Sequence, residues 1–476
     1  MPEKLNVCLI NDSFPPLIDG VANTVKNYAA IIEKNYGKAT VAVPYYPGAD
    51  DSLCPYKVVR FPSLNTERLL NYRAGYPFSP ETLDKIKEEN IDVIHTHCPF
   101  MSAILARTLR EPLDAPVIFT YHTKFDIDIA RTIGNNVIKE KVLKQLVKNI
   151  EACDEVWVVS EGAGENLRSI GYKGEYVVME NGVDIPKGRV PDEKIAEATA
   201  GYDLPEGIPV FLFVGRMAWY KGLDIILEAL ANIKAGGDDF RMVFIGGGLD
   251  KEEVEKYSVE LGLSEKCIFT GPIHDREVIR AWYCRADLFL FPSVYDTNGL
   301  VVREAAACGL GSVLIKGSCA AEGITDGETG FVCENSAKAF GEKLHEICKN
   351  PESMKIVGKN AMDKIYVSWE DSVAKAVERY KIVLKNYRAG KYENKRVTLG
   401  EEWLRAEGEL LDGINRARAY RRNFGHGMKY YGKEMIQGSV RAAESFKRRS
   451  IKLKNITKEK SAAMKNAIRE KLDRYL

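Results

Sequence analysis

A short segment, residues 292–304, combines two carboxylates with a glycine at an expected helix start. Asp296 follows the apolar run 288–291, Gly299 and Leu300 open a helical pattern, and Glu304 comes eight positions after Asp296. Two consecutive N–H groups at a helix start can bind a phosphate, because they lie at the positive end of the helix dipole. The carboxylates can then bind hydroxyl groups of the same ligand, and their spacing does not suit two ligands of one metal ion. A helix with a capping aspartate and a solvated glutamate would have the same pattern.

Two basic residues follow a second apolar run. Arg216 and Lys221 stand five positions apart, directly after the expected strand 210–214. An arginine binds a diphosphate through two parallel hydrogen bonds and a lysine binds it as a point charge, so the pair could neutralise such a group. The carboxyl end of a strand is also where open α/β sheets bind ligands. The alternative is a loop that carries two solvated cations.

Gly20 is a third candidate phosphate contact. It follows the loop 11–19 and begins a helical pattern of apolar residues. A glycine at a helix start lets an anion approach the backbone closely, although an ordinary tight turn explains it equally well. The G-x-G-x-x-G pattern of dinucleotide-binding folds is absent after the first apolar run, which disfavours an oxidoreductase.

The elements that carry these residues alternate between strands and helices. Continuous apolar runs rich in β-branched residues, each followed by a helical pattern, indicate parallel sheets covered on both faces. The pattern occurs twice, on either side of a connector at 181–207. We therefore predict an α/β fold with two Rossmann-like parallel-sheet domains, over 1–185 and 205–365, that face a ligand-binding cleft. A helix over 366–390 and a basic helical tail over 391–476 should follow.

Together these motifs resemble the retaining glycosyltransferases of family four. The segment Asp296-x7-Glu304 with Gly299-Leu300 is similar to the E-x7-E signature of that family, and the resemblance covers nearly all of residues 4–388. Other matching elements stand at these positions: Pro15…Gly20-Val21, Val93-Ile-His95-Thr-His97, Phe119-Thr-Tyr-His122, Asn181-Gly-Val-Asp184, Gly215-Arg216 with Lys221, and Ser368-Trp369-Glu370. The bacterial diacylglycerol glucosyltransferases look most similar. The resemblance implies the two-domain GT-B fold, with the helix 366–390 crossing back to the first domain.

The resemblance also implies two catalytic residues and an acceptor side. His122 would lie beside the transferred sugar near its anomeric carbon, and Asp296 would bind hydroxyl groups of that sugar. His95 and His97 would contact the acceptor; the alternative is that they are structural. Family members usually have glutamate where Asp296 stands, and the shorter side chain leaves the identity of the donor sugar open.

The implied donor is a nucleoside diphosphate sugar, with a UDP-hexose as the expected co-substrate. Transfer would proceed with retention and without a metal or other cofactor. Gly20 would pack against the diphosphate, Arg216 and Lys221 would stabilise the leaving nucleoside diphosphate, and Glu304 would bind the ribose. The full set of donor-binding residues that the resemblance implies is Gly20, Arg216, Lys221, Asn298, Gly299, Leu300 and Glu304.

Composition disfavours several other classes of protein. The chain of 476 residues is 45% hydrophobic and 28% charged, as in ordinary globular proteins. Its apolar runs are far shorter than the ~20 residues of a transmembrane helix, and the first is too short for a secretory signal. The 10 cysteines include no C-x-x-C pair, which indicates reduced thiols in a cytoplasmic protein and disfavours a zinc site. Asp126-Ile-Asp128 matches a D-x-D metal motif, but its place at an expected helix start explains it as helix-terminal charge.

Charge is unevenly distributed along the chain. The formal net charge is +1, yet residues 391–476 contain 22 basic and 11 acidic residues. Basic residues around Tyr420, Phe424, Met428 and Tyr431 are typical of a helix that lies at a lipid interface. We expect the tail to bind an anionic surface on the inner face of the membrane. A solvated extension and one that docks on the acidic body are alternatives, and no motif indicates a nucleic-acid partner.

The sequence thus predicts a retaining glycosyltransferase that moves a hexose from a nucleoside diphosphate sugar to a membrane lipid such as diacylglycerol. A second interpretation keeps the enzyme but makes its acceptor a saccharide or a cell-envelope polymer. A third, prompted by Asp296, is a nucleotide-sugar-binding protein that has lost turnover. The sugar, the nucleotide base and the oligomeric state do not follow from the sequence.

Overall fold

The computed structural model describes residues 4–17, 19–66, 73–132, 135–392 and 399–423. Within these ranges the chain divides into two compact units. Of the described residues, those within 4–119, 148–155 and 380–423 form the first unit, and those within 120–147 and 156–379 form the second. The predicted domain limits stay a prediction.

The first sheet contains seven of the described strands. In chain order the first nine strands are β1 (Leu5–Ile10), β2 (Gly37–Pro44), β3 (Lys57–Phe61), β4 (Ser63–Leu64), β5 (Ala74–Gly75), β6 (Val93–Thr96), β7 (Val117–Tyr121), β8 (Glu155–Val158) and β9 (Val177–Val178). The sheet order is β3-β2-β1-β6-β7-β8-β9, whereas β4 and β5 form a separate antiparallel pair. β1 pairs in parallel with β2 and β6. Its Val7, Leu9 and Ile10 are fully buried, as expected for a strand covered on both faces.

The helices that accompany these strands begin at recognisable caps. They are α1 (Gly20–Asn35), α2 (Pro80–Lys87), α3 (Met101–Leu113), α4 (Phe125–Thr132), α5 (Asn136–Glu151) and α6 (Glu161–Ser169). The Asp19 carboxylate accepts from the Ala22 N–H at the start of α1. Ser79 caps α2, which has Pro80 in its first turn, and Ser160 caps α6. Such side chains satisfy backbone donors that a helix leaves unpaired.

The second sheet contains six of the described strands. After α7 (Asp192–Ala198) these are β10 (Val210–Val214), β11 (Arg241–Ile245), β12 (Cys267–Gly271), β13 (Leu288–Phe291), β14 (Ser312–Ile315) and β15 (Phe331–Cys333). Their order is β12-β11-β10-β13-β14-β15, and every neighbouring pair is parallel. The connecting helices are α8 (Leu223–Ala235), α9 (Lys251–Glu260), α10 (Arg276–Arg285), α11 (Leu300–Ala307), α12 (Ala337–Cys348) and α13 (Pro351–Lys364), with short 3-10 turns at Trp219–Lys221 and Cys319–Ala321.

Two further helices follow, α14 (Trp369–Arg388) and α15 (Leu399–Asn423). Ser368 and Asp371 form a capping box at the start of α14: the Ser368 hydroxyl accepts from the Asp371 N–H at 3.0 Å and donates to the Asp371 carboxylate at 2.7 Å. Among the described helices, none combines the length and hydropathy that crossing a bilayer requires.

The beginning of α15 is anchored in the first unit by a buried ion cluster. The Glu401 carboxylate accepts from Arg107 Nε at 2.6 Å and from Arg110 Nη1 at 3.0 Å. Arg110 also lies 3.3 Å from the Asp154 carboxylate. The side chains of Arg107, Arg110 and Glu401 are 9%, 2% and 5% exposed. The beginning of the predicted tail is therefore packed on the body of the first unit.

The predicted α/β class with two parallel sheets is confirmed. The strand expected at 210–214 has those bounds in the structure, and the apolar run 288–291 forms strand β13. Residues 424–476, which contain Phe424, Met428 and Tyr431 of the predicted interfacial helix, lie outside the described residues, as does the side chain of Tyr420.

Candidate functional site

Adjacent strands bring two of the predicted motifs to one edge of the second sheet. β10 and β13 are neighbours in parallel register, with Leu212 opposite Phe289. Parallel strands end at the same edge, so the loop with Arg216 and Lys221 begins beside the loop with Asp296. β10 and β13 are also where the strand order changes direction. Open α/β sheets bind ligands at such a switch point.

The second unit contains a cavity of about 310 Å³ at this position. Four of the predicted site residues line it together: His122, Arg216, Lys221 and Asp296. The remaining lining residues were not predicted as site residues; they are Thr123, Lys124, Ile127, Tyr220, Tyr295 and Thr297. The cavity therefore joins the two predicted cations, the first carboxylate and the predicted catalytic histidine.

Asp296 is held by two neighbours in this cavity. Its Oδ1 lies 2.6 Å from Lys221 Nζ, and its Oδ2 accepts from the Ser293 hydroxyl at 2.5 Å. The side chains of Lys221 and Asp296 are 17% and 21% exposed. This pairing orients the carboxylate and at the same time neutralises part of the charge on Lys221.

The backbone of His122 is hydrogen-bonded to Thr297, the residue that follows Asp296. Its carbonyl oxygen accepts from the Thr297 hydroxyl at 2.6 Å, and the Thr297 carbonyl in turn accepts from the Ser160 hydroxyl at 2.5 Å. The residue is only 8% exposed. Burial lowers the pKa of the His122 imidazole from 6.5 to about 3. At neutral pH the ring is therefore uncharged and can exchange hydrogen bonds with a sugar hydroxyl without acting as a cation.

We expect His122 to make stability depend on pH. Its folded pKa of about 3 lies below the ordinary 6.5, so the unfolded chain takes up the proton first on acidification. Above pH 6.5 the ring is neutral in both the folded and the unfolded chain, so protonation of His122 does not reduce the free energy of unfolding. As the pH falls from 6.5 toward 3, protonation of the unfolded chain lowers the free energy of unfolding by up to about 1.4 kcal/mol per pH unit. Imidazole nitrogen NMR shifts at pH ~5 should identify His122 as neutral, assigned by comparison with His122→Gln. A ring that is half protonated near pH 6.5 would contradict this.

The predicted helix start is present at α11, whereas its binding of a phosphate stays a prediction. Gly299 adopts a left-handed φ of +58°, and a Cβ atom there would lie 2.8 Å from Ala320 Cβ, so both backbone and packing require glycine. The preceding Asn298 is only 7% exposed, and both Oδ1 and Nδ2 of its amide lack a hydrogen-bond partner within the described structure. Leu300 is the first residue of the helix. Since buried amides are almost always hydrogen-bonded, a polar ligand at this helix start would satisfy Asn298.

Glu304 lies in a different environment from Asp296. Its Oε1 accepts from Arg276 Nη2 at 2.7 Å and its Oε2 from the Tyr283 hydroxyl at 3.1 Å. Burial and the nearby carboxylate raise the pKa of Tyr283 well above its usual value, so the phenol keeps its proton. Glu304 is not among the residues that line the cavity. Its role toward a ribose stays a prediction.

Two other motifs of the resemblance, at 181–184 and 368–370, contact each other, and Arg276 connects them to Glu304. The Trp369 indole donates to the Asp184 carboxylate at 2.8 Å, and Arg276 lies 3.6 Å from the same carboxylate. A Cβ atom at Gly182 would lie 2.4 Å from the Trp369 nitrogen, which explains the glycine. These motifs therefore have a structural role in connecting the segment 181–184 to α14.

Gly20, His95 and His97 belong to the first unit. Gly20 begins α1, and a Cβ atom there would meet none of the described residues within 4 Å apart from its chain neighbours. Packing against the described residues therefore does not explain the glycine. His95 and His97 are 0% and 2% exposed. His95 Nδ1 lies 2.6 Å from the Tyr380 hydroxyl, and both rings pack edge-on against Tyr28. These are the surroundings of core residues, and their contact with an acceptor stays a prediction.

The described residues include no group of three or more His, Cys, Asp or Glu side chains arranged to hold a metal ion. Asp126 accepts from the Asn166 amide at 3.1 Å in the first turn of α4, and the side chain of Asp128 lies outside the described residues. All 10 cysteines are free thiols.

Two residues that were not predicted from the sequence, Lys124 and Arg276, have partners that are remote in sequence. Lys124 contacts Val294 across 170 positions, and Arg276 contacts Glu304 across 28. For Lys124 and Tyr295 the sequence offers one signal, which is proximity to a predicted site residue. Lys124 stands two positions after His122, and Tyr295 directly precedes Asp296.

Comparison with known proteins identifies two family models along the chain. The model described as glycosyltransferase family 4 matches residues 18–187, and that described as glycosyl transferases group 1 matches residues 195–364. An alpha-monoglucosyldiacylglycerol synthase from Streptococcus pneumoniae is 25% identical over 312 residues, which is 64% of this chain and 70% of that protein.

Solved structures agree with this fold. A glycosyltransferase from Rickettsia africae superposes with a TM-score of 0.63 at 21% identity, covering 80% of this chain and 99% of the other. The Anabaena protein HepE in complex with UDP also gives a TM-score of 0.63, at 16% identity over 79% of this chain and 100% of the other. The GT-B fold implied by the sequence motifs is therefore confirmed.

Proposed function

The chain belongs to glycosyltransferase family four, and from that premise we propose that it transfers a hexose from a UDP-hexose to a membrane lipid of the diacylglycerol type, with retention of configuration. The observation that carries the proposal is the cavity of the second unit. There Arg216 and Lys221 lie with Asp296 and the uncharged His122. This set combines cations for a diphosphate with neutral and anionic groups for sugar hydroxyls.

The proposed reaction needs stabilisation of a leaving group more than a strong base. The bond between the hexose C1 and the diphosphate oxygen breaks, and a bond from the acceptor hydroxyl oxygen to C1 forms on the same face. The acceptor proton passes to the departing phosphate, so the products are the glycosylated acceptor and the nucleoside diphosphate. Arg216 and Lys221 would interact with the charge that develops on that phosphate, which is commonly the largest catalytic contribution.

The donor assignment is supported by the helix start at α11. Asn298 offers an unpaired buried amide directly before it, and a helix start favours a phosphate. The structurally similar HepE was solved with UDP. Uridine diphosphate is therefore the first nucleotide to test.

The lipid acceptor is supported by sequence similarity and by charge. The Streptococcus pneumoniae relative is an alpha-monoglucosyldiacylglycerol synthase, and residues 424–476 contain 14 basic and 5 acidic residues. A transferase that acts on a lipid must reach a membrane surface, and anionic headgroups attract such a segment.

The experiment that tests the proposal supplies radiolabelled UDP-glucose, UDP-galactose or GDP-mannose with diacylglycerol vesicles or with oligosaccharides. Label transferred to the lipid, with an α-linkage by NMR, supports the proposal. Label transferred to oligosaccharide alone would replace the lipid acceptor with a saccharide. Nucleotide binding without any transfer or donor hydrolysis would show that turnover is lost.

Deletion of residues 424–476 should abolish most binding to anionic vesicles. The chain is truncated after Asn423, because a truncation that begins at residue 391 would also remove Glu401 from its buried ion cluster. In flotation with equimolar phosphatidylglycerol and phosphatidylcholine we expect a loss of at least about tenfold, since each basic residue near the surface contributes about 1 kcal/mol. Phosphatidylcholine vesicles serve as the control. Equal flotation of the shortened chain would exclude the tail as the membrane contact.

A further inference from the structure

Lys124 places a third cation in the cavity of the second unit. It stands two positions after His122 and lines the cavity together with Arg216 and Lys221. Its ammonium donates to the Val294 carbonyl oxygen at 3.1 Å. Val294 lies two positions before Asp296, so the contact connects Lys124 to the loop that carries the carboxylate.

The balance of charge in the cavity requires more than the two expected cations. Lys221 lies 2.6 Å from the Asp296 carboxylate, so a protein anion already neutralises part of its charge. His122 adds no charge, because burial lowers its pKa to about 3. A sugar-linked nucleoside diphosphate carries one negative charge on each phosphate at neutral pH. Arg216 with the partly neutralised Lys221 leaves one of these charges without a full counter-charge, and Lys124 supplies it.

We propose that Lys124 is a third phosphate-binding cation, which stabilises the nucleoside diphosphate as it leaves. The inference rests on the proposed function and adds a catalytic residue to it. When the C1–oxygen bond breaks, the terminal phosphate gains negative charge. A cation at this place therefore stabilises the transition state more than the bound donor. The Val294 carbonyl takes only one of the three protons of the ammonium, and the others can bind phosphate oxygens.

Glutamine and arginine at position 124 separate charge from geometry. Lys124→Gln retains a hydrogen-bond donor for the Val294 carbonyl but carries no charge, whereas Lys124→Arg retains the charge. Lys144→Gln is the matched control, because it removes the same charge from a lysine whose side chain is 75% exposed. Titration calorimetry with UDP, with uridine as the phosphate-free comparison, measures binding, and steady-state assays measure kcat and the KM of donor and acceptor.

We expect Lys124→Gln to weaken UDP binding about tenfold and to lower kcat about 10- to 100-fold, with uridine binding unchanged. Lys124→Arg should stay within about threefold of the wild type, and Lys144→Gln within about twofold. Unchanged UDP affinity and kcat in Lys124→Gln would overturn the inference, as would an effect confined to the acceptor KM. Equal losses of UDP affinity and kcat in the arginine and glutamine variants would also overturn it, because they would show that Lys124 only holds the loop through Val294.

The wild-type titration keeps the two proposals apart. If the wild type binds UDP and Lys124→Gln binds it equally well, only the role of Lys124 fails. If the wild type binds none of UDP, GDP and ADP, the proposed function itself fails, and the role of Lys124 with it.

Discussion

Lys221→Ala should lower kcat about 100- to 1,000-fold, the loss expected when a preorganised group that stabilises developing charge is removed. Lys221 Nζ is one of the cations of the cavity, and it also holds the Asp296 carboxylate at 2.6 Å. The alanine variant therefore loses a cation and leaves the Asp296 carboxylate without its counter-ion at the proposed phosphate site, with only the Ser293 hydroxyl bond remaining. Steady-state kinetics with the donor that the wild type uses should show the loss mainly in kcat, because the phosphate charge grows in the transition state.

A double variant divides this loss between its two causes. Lys221→Ala combined with Asp296→Asn removes the unpaired charge, so any recovery of kcat over Lys221→Ala measures the repulsion by Asp296. Lys338→Ala, which changes a lysine whose side chain is 84% exposed on α12, controls for net charge. Turnover of Lys221→Ala within about threefold of Lys338→Ala would contradict the assignment of the cavity as the donor site.

Glu401→Ala should destabilise the first unit by about 3–5 kcal/mol, the cost of breaking a buried ion pair and leaving its partner uncompensated. Arg107 and Arg110 are 9% and 2% exposed, and Glu401 contacts both. Without it, Asp154 is the remaining carboxylate that the described structure places beside Arg110. Urea unfolding and hydrogen exchange of α3 and α15 should both report the loss, and exchange is needed because a chain with two units need not unfold in a single step.

Glu407→Ala is the matched control, since it removes the same charge from a half-buried position on the same helix. We expect it to change the free energy of unfolding by no more than about 0.5 kcal/mol, as for most surface substitutions. Glu401→Gln should give an intermediate loss, because it keeps the volume and one acceptor. Equal stabilities of Glu401→Ala and Glu407→Ala would contradict the anchoring of α15.

The strands of the second sheet were the most predictable part of the fold. β10 and β13 are continuous apolar runs because both faces of the sheet are covered, and such burial is visible in a local window of sequence. β15 has three residues and β9 has two. Runs so short lack a periodic signal, and only pairing with a neighbour makes them strands.

The candidate site was predictable where its residues share a motif. Asp296, Asn298 and Gly299 stand within one segment, and the left-handed φ of Gly299 agrees with its glycine. The contacts that orient these residues come from elsewhere: Thr297 bonds the His122 carbonyl across 175 positions, and Tyr283 and Arg276 hold Glu304 from α10. No local pattern could indicate these pairs.

Short-range information in the chain was enough to predict the class of fold, the family and the residue types that we propose to bind phosphate and sugar. Hydrophobic periodicity, helix caps and glycine conformations act over a few neighbouring residues. The neutrality of His122, the pairing of Lys221 with Asp296, the third cation at Lys124 and the anchoring of α15 through Glu401 arise only after folding. Each depends on burial and on electrostatic contacts between segments that are distant along the chain. Charges and pKa values respond to that surrounding shell of atoms, which the order of residues does not display.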